Sequence, residues 1–119
     1  MCIRDSVTIM KLEIALYEAV DGSSPFAQWF DELDSQAALK VRTVIARMEA
    51  GNLGDFKSVG GGVLERRLTF GPGYRIYFGR DGARIVILLD GGTKRRQQAD
   101  ISRARALLSD YLARQDKGK

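Results

Sequence analysis

The apolar residues change their period along the chain. From Lys11 to Tyr17 they alternate, with Leu12, Ile14 and Leu16 on one side and Lys11, Glu13 and Ala15 on the other. A period of two is that of a half-buried strand. Asp21-Gly22-Ser23 is a turn, and Ser24 then offers an N-cap with Pro25 at the first helical position. Phe26, Trp29 and Phe30 form the apolar stripe of a short helix, a spacing that belongs to a core more than to a base-stacking platform. Asp34 is a second N-cap. Ala37, Val41, Val44, Ile45 and Met48 recur at helical spacing, and Gly51 stands where a helix ends on a left-handed residue. The two helices are expected to pack as an antiparallel pair against a sheet.

Gly51 to Gly62 reads as a glycine-rich loop, and it lacks the Gly-Lys-Ser/Thr ending of a nucleotide-binding loop. Three strand-like runs follow: Val63 to Phe70, Tyr74 to Gly79, and Arg84 to Leu89. Gly71-Pro72-Gly73 and Arg80-Asp81-Gly82 separate them as hairpin turns. The run Ile85-Val86-Ile87-Leu88-Leu89 is apolar throughout, which predicts a central strand buried on both faces. Beyond Gly91-Gly92, Thr93 can cap a last helix whose apolar face is Ile101, Ala104, Leu108 and Tyr111. Met1 to Ile9 reads as an upstream extension or an assembly artefact before Met10, and residues beyond Arg114 as a polar tail. The order is β-α-α-β-β-β-α: one α+β domain over 10–114, a mostly antiparallel sheet on a two-helix layer, with a C-terminal helix.

Composition narrows the chemistry. The 119 residues are 45% apolar and 29% charged, ordinary values for a globular chain. No apolar run approaches the roughly 18 residues of a membrane span, so no membrane is expected. There is no histidine and a single cysteine, Cys2, in the leading segment. That excludes a Ser-His-Asp triad, a Cys-His dyad, a disulfide scaffold and the usual zinc sites. No metal or cofactor is expected, and a reducing cytoplasm is the default location. Any catalysis falls to Lys, Arg, Tyr, Asp, Glu, Ser, Thr or the backbone. The net charge of +4 is unevenly spread: residues 1–56 carry −4 and residues 57–119 carry +8. A basic half beside an acidic one fits either a polyanion-binding surface or a merely solvated basic face.

The hairpin decides where the cations go. If Gly71-Pro72-Gly73 is a three-residue loop, Phe70 lies opposite Tyr74, Thr69 opposite Arg75, and Arg67 opposite Tyr77. Glu65, Arg67, Thr69, Arg75 and Tyr77 then share a polar face expected to line an open concavity. Arg66, Leu68, Phe70, Tyr74, Ile76 and Phe78 share the face toward the helices. Two arginines and a tyrosine in a concavity can bind phosphate and stack on a base. The competing reading is a structural pair between Glu65 and an arginine. Lys94, Arg95 and Arg96 add three cations at the strand-to-helix junction, which suits a phosphate, and Lys57 approaches from the preceding loop.

The run Lys57…Gly62-Val63-Leu64-Glu65-Arg66-Arg67, then Phe70-Gly71-Pro72-Gly73-Tyr74-Arg75-Ile76-Tyr77-Phe78, then Leu88-Leu89-Asp90-Gly91-Gly92-Thr93-Lys94, then Gln97-Gln98-Ala99-Asp100-Ile101 and Ala104 resembles the RelE/ParE toxin superfamily. It is most similar to the HigB-like branch of addiction module killer proteins, over Met10 to about Leu112. The resemblance implies the toxin of a type II toxin–antitoxin system: a metal-independent mRNA endonuclease acting on the ribosome, held by a small helix-turn-helix antitoxin. By position it implies catalytic roles for Arg67, Arg75 and Lys94, and RNA contacts from Lys57, Tyr77, Arg95 and Arg96. Where RelE-like toxins carry a tyrosine on the last helix, this chain has Ile101 or a neighbour, so the general base is unassigned. The same scaffold hosts ParE-like gyrase inhibitors without nuclease activity, and a non-enzymatic RNA-binding module is a third reading.

Overall fold

The computed structural model describes residues 11–117. The expected extension at Met1 to Ile9 lies outside the described residues. The chain runs β1 (Glu13–Leu16), α1 (Pro25–Asp31), α2 (Ser35–Glu49), β2 (Phe56–Ser58), β3 (Leu64–Arg67), β4 (Tyr74–Asp81), β5 (Ile85–Thr93), a 3-10 turn at Lys94–Arg96, and α3 (Gln97–Lys117). The five strands form one mixed sheet in the order β1-β5-β4-β3-β2. β1 is parallel to β5, with Glu13 opposite Ile85 and Leu16 opposite Leu88. The other pairings are antiparallel.

The helix ends follow their capping chemistry. Ser24 Oγ accepts from the Ala27 N–H at 3.1 Å with Pro25 opening α1. Asp34 Oδ1 accepts from the Ala37 N–H at 2.8 Å to open α2. α2 closes on Gly51 at φ +99°. There the Gly51 N–H donates to Met48 O and the Asn52 N–H to Arg47 O, which satisfies two end carbonyls. Thr93 occupies the cap position before the 3-10 turn, but its side chain makes no capping bond.

Several expected boundaries are corrected. The glycine-rich loop contains a short strand, β2, paired to β3 with Phe56 opposite Arg66 and Lys57 opposite Glu65. β4 continues to Asp81 and β5 to Thr93, and residues 115–117 continue α3 instead of forming a tail. β5 extends through Gly91-Gly92, which pair with Ile76 and Arg75 of β4, and both positions need glycine: a Cβ at Gly91 would collide with the Trp29 ring, and one at Gly92 with the Asp100 carboxylate. A bulge accompanies the extension, since Tyr77 faces Asp90 while Phe78 faces Leu88.

The β3–β4 register is shifted by two from the expected one: Arg67 lies opposite Arg75, and Glu65 opposite Tyr77. The connection is wider than three residues, with the Leu68 N–H donating to Tyr74 O at 2.9 Å. A shift of two preserves the faces. Leu68, Ile76 and Phe78 therefore pack with Leu12, Phe26, Val41, Val44, Met48, Val86 and Leu88 on the α1/α2 side. On the other side Tyr17, Val63, Tyr77, Ile87 and Leu89 pack under Ile101, Ala104 and Leu108 of α3. β5 is buried on both faces, as its apolar run predicts. No helix among the described residues is long and apolar enough to cross a membrane.

Candidate functional site

α3 is amphipathic in two stages. Its middle carries Ile101, Ala104 and Leu108, which meet apolar strand residues. Its first turns carry Gln97 and Asp100 along the same stripe, and these meet the polar part of the sheet. Gln97 Nε2 donates to Glu65 Oε2 at 2.8 Å. The same Glu65 oxygen lies 3.4 Å from Arg75 Nε, and Glu65 Oε1 lies 3.8 Å from Lys57 Nζ. Arg75 Nη1 also donates to Gly73 O at 3.1 Å. A buried carboxylate thus gathers two cations and an amide from three different elements.

This geometry corrects the open concavity expected for the hairpin face. Glu65 is 1% exposed, Arg75 4% and Tyr77 0%, because the start of α3 lies over them. Thr69 falls beyond the end of β3, in the turn. Tyr77, expected to stack on a base, is closed to any ligand. Its hydroxyl makes no hydrogen bond of normal geometry. Its pKa is pushed well above the usual tyrosine range, first by burial and then by the Glu65 charge.

Arg67 stays exposed at the end of β3, directly across from Arg75. Arg75 in turn pairs with Gly92, so Arg67 and the β5–α3 junction are two strand spacings apart, about 10 Å. Lys94 is exposed there and packs beside Gly73, where an added Cβ would lie 3.5 Å from Lys94 Cβ and 3.6 Å from Arg75 Nη1. Lys57, Arg67 and Lys94 therefore rim a buried Arg75. Arg95 is exposed on the 3-10 turn.

Two openings flank this arrangement. A groove of about 570 Å³ lies along the paired edge strands β2 and β3, lined by Asp55, Phe56, Lys57, Glu65, Arg66, Arg67 and Thr69. A smaller polar pocket of about 280 Å³ lies at the other side of the junction. Trp29, Asp90, Asp100, Arg96 and Arg103 are among its walls. Arg96 faces this second pocket, apart from the groove that holds Lys57 and Arg67. Asp90 Oδ1 accepts from the Gly91 N–H at 2.8 Å, and its Oδ2 lies 3.5 Å from Arg103 Nε. Burial raises the Asp90 pKa, opposed by the Gly91 N–H and Arg103. Burial likewise raises that of Asp100, opposed by Arg96 and Arg103.

No protein-family model matches the chain. A protein of Haemophilus influenzae (strain ATCC 51907 / DSM 11121 / KW20 / Rd), described only as an uncharacterized protein, is 40% identical to it over 86 residues. That match spans 71% of this chain and 87% of the Haemophilus protein. The chain belongs to that protein's family. Membership brings no activity with it, so the chemistry of the family rests on side chains such as these.

Sequence reasoning missed Phe56, Arg66, Asp90, Gln97 and Asp100. The signal for two of them was present: Gln97 and Asp100 continue the stripe of Ile101, Ala104 and Leu108 toward the helix start. Polar residues on a buried stripe require polar partners in the sheet beneath.

Proposed function

We propose that the protein is a toxin of the RelE/ParE type from a two-gene toxin–antitoxin pair, an endonuclease that cuts mRNA on the ribosome without a metal ion. The observation that supports this reading is the convergence of exposed Lys57, Arg67 and Lys94 around the buried Glu65–Arg75 pair. RNA cleavage by the adjacent 2′-hydroxyl needs that hydroxyl deprotonated, the crowded phosphorane stabilised and the departing 5′-oxygen protonated; the hydroxyl proton passes to solvent water, since no side chain is assigned as its base. Fixed cations aimed at the developing charge serve the second need. Exposed Lys57, beside Glu65, can serve the third. Arg75 is closed to substrate and acts as a positioning residue: with Glu65 it fixes the strand ends that carry Lys57 and Arg67. In-line alignment comes from the ribosome-bound message. The antitoxin is a small protein whose acidic side chains cover the same cations, with fast, salt-sensitive association.

The burial of Arg75 and Tyr77 favours one second reading, a non-enzymatic RNA-binding module. The deciding experiment is a translating extract programmed with a defined message. The nuclease reading expects cuts within the reading frame, lost in the Arg67→Ala/Lys94→Ala double variant. Binding without cuts supports the module. Arrest of gyrase supercoiling with intact message would replace both with a ParE-like activity.

A further inference from the structure

The groove at the β2–β3 corner contains a residue that neither the proposed cleavage chemistry nor the core uses. Phe56 is a large apolar side chain on the edge strand β2, yet it is 45% exposed. One side of it meets Phe78, ring centroids 6.0 Å apart at 77°, which limits its motion without covering it. Apart from Thr69, the rest of the groove wall is charged. Lys57 follows Phe56 on the strand, and Arg66 lies directly opposite. Arg67 comes next on β3, exposed and also in the groove lining.

Arg66 is a cation fixed in advance. Its Nη1 donates to the carbonyl of Arg67 at 2.6 Å. Its guanidinium also lies across Gly54, where even an added Cβ would come within 2.5 Å of Arg66 Nε. Gly54, at φ +68°, is thus the residue whose missing side chain lets the arginine lie flat along the groove. An ordered guanidinium loses less entropy on meeting a phosphate than a free one. Asp55 also lines this wall, with no ion pair to a cation among the described residues, and it can accept from an exocyclic amino group of a base.

We propose that this corner binds single-stranded RNA, with Phe56 as the platform on which one base stacks and Arg66 and Arg67 on the flanking phosphates. The inference rests on the RNA-binding reading given above and moves base stacking from Tyr77 to Phe56. A half-exposed ring between cations is the pattern that serves single strands, since stacking needs a free base face and the cations track the backbone. A duplex, its bases already stacked, cannot use the ring.

The test is equilibrium binding of a labelled, unstructured 2′-O-methyl RNA of about a dozen nucleotides, which binds but cannot be cut. Phe56→Leu keeps an apolar side chain against Phe78 and removes the aromatic face. It is expected to weaken binding about tenfold, from the range measured for stacked bases, with the salt slope and urea midpoint unchanged. Phe56→Trp is expected to bind at least as tightly as the parent. Arg66→Ala is expected to lower the salt slope by about one. Equal affinity of the parent and Phe56→Leu, with Arg67→Ala still weakened, would overturn the stacking platform and leave the RNA-binding reading standing. A parent that binds no single-stranded RNA at low salt would overturn both.

Discussion

On the side of the sheet covered by α1 and α2, the buried cluster is apolar from Leu12 to Leu88. On the side covered by α3, Tyr77, Ile87 and Leu89 share the interior with Glu65, Arg75, Asp90 and Asp100. Both sides are closed to water, but they are held shut differently. The first side gains from area removed from solvent, about 25 cal/mol per Å². The second gains that under the middle of α3 only. Under the first turns of α3 it must offset the desolvation of charges: Glu65 Oε2 takes the hydrogen bond from Gln97 and the ion pair to Arg75, while Oε1 has Lys57 Nζ at 3.8 Å and no hydrogen bond. A packed apolar face tolerates no loss of volume. A paired polar face tolerates no loss of one partner, though the whole pair can be replaced.

The largest expected effect tests that distinction. Glu65→Ala leaves the Arg75 guanidinium buried beside an empty space and is expected to cost about 3–5 kcal/mol. Phe78→Ala on the opposite face is expected to cost a similar 3–5 kcal/mol through its cavity. The faces part company in the second step. Glu65→Leu combined with Arg75→Met should recover most of the stability lost by Glu65→Ala, because no charge is left unpaired. No second truncation near Phe78 should do the same. Urea denaturation measures all of these. If the double variant is as unstable as Glu65→Ala, the polar face is held by more than this pair.

A middle-sized effect is expected from pH. Burial raises the Asp90 pKa above its ordinary 3.8, so the native state holds this proton more tightly than the unfolded chain does. Its contribution is therefore fully present below pH 3.8 and is lost as pH rises through the higher folded value. Asp90→Asn keeps an acceptor for the Gly91 N–H and has no proton to lose. Relative to the parent, the variant should gain stability as pH climbs from about 3.8 through the folded pKa, then stay level. A difference that shrinks with rising pH would show that Arg103 and Arg96 outweigh the burial.

The two faces also differ in how far they could be read from sequence. Leu68, Ile76 and Phe78 on the α1/α2 side were assigned correctly because alternation is a local property, and the register shift of two left it intact. The caps at Ser24 and Asp34 were legible for the same reason. The polar set Glu65, Arg75 and Tyr77 was placed on the right face but read as open to solvent. Polar residues on a strand face normally mean water. Here they mean Gln97 and Asp100, which approach from about 30 residues downstream, and no local pattern reports that contact. β2 was missed because Phe56-Lys57-Ser58 is three exposed residues among glycines, a strand defined only by its pairing to β3. The cations at the rim were recognised as basic residues, and Arg66 was correctly assigned to the helix-facing set, opposite Ile76, but Phe56 was passed over. The pairing of Phe56 with Arg66 across β2 and β3 puts both in one groove.

The smallest expected effect concerns Tyr77, the residue shared by both kinds of interior. Its ring is part of the apolar cluster under α3 and its hydroxyl sits among the charges. That hydroxyl is buried without a hydrogen bond of normal geometry, while Tyr17, also under α3, donates to Asp110 Oδ2 at 2.6 Å. Tyr17→Phe removes a made bond and is expected to cost about 0.5–1.5 kcal/mol. Tyr77→Phe removes a hydroxyl that is already desolvated beside Glu65 without a bond of normal geometry, so it should change stability by less than about 1 kcal/mol in either direction. A near-ultraviolet alkaline titration gives a second readout. The Tyr77 phenol should stay protonated until the chain unfolds, since burial and the Glu65 charge both oppose its ionisation. A loss of several kcal/mol in Tyr77→Phe would mean that the hydroxyl is the link between Glu65 and Asp100, and that the polar face is a single network across the sheet instead of separate pairs.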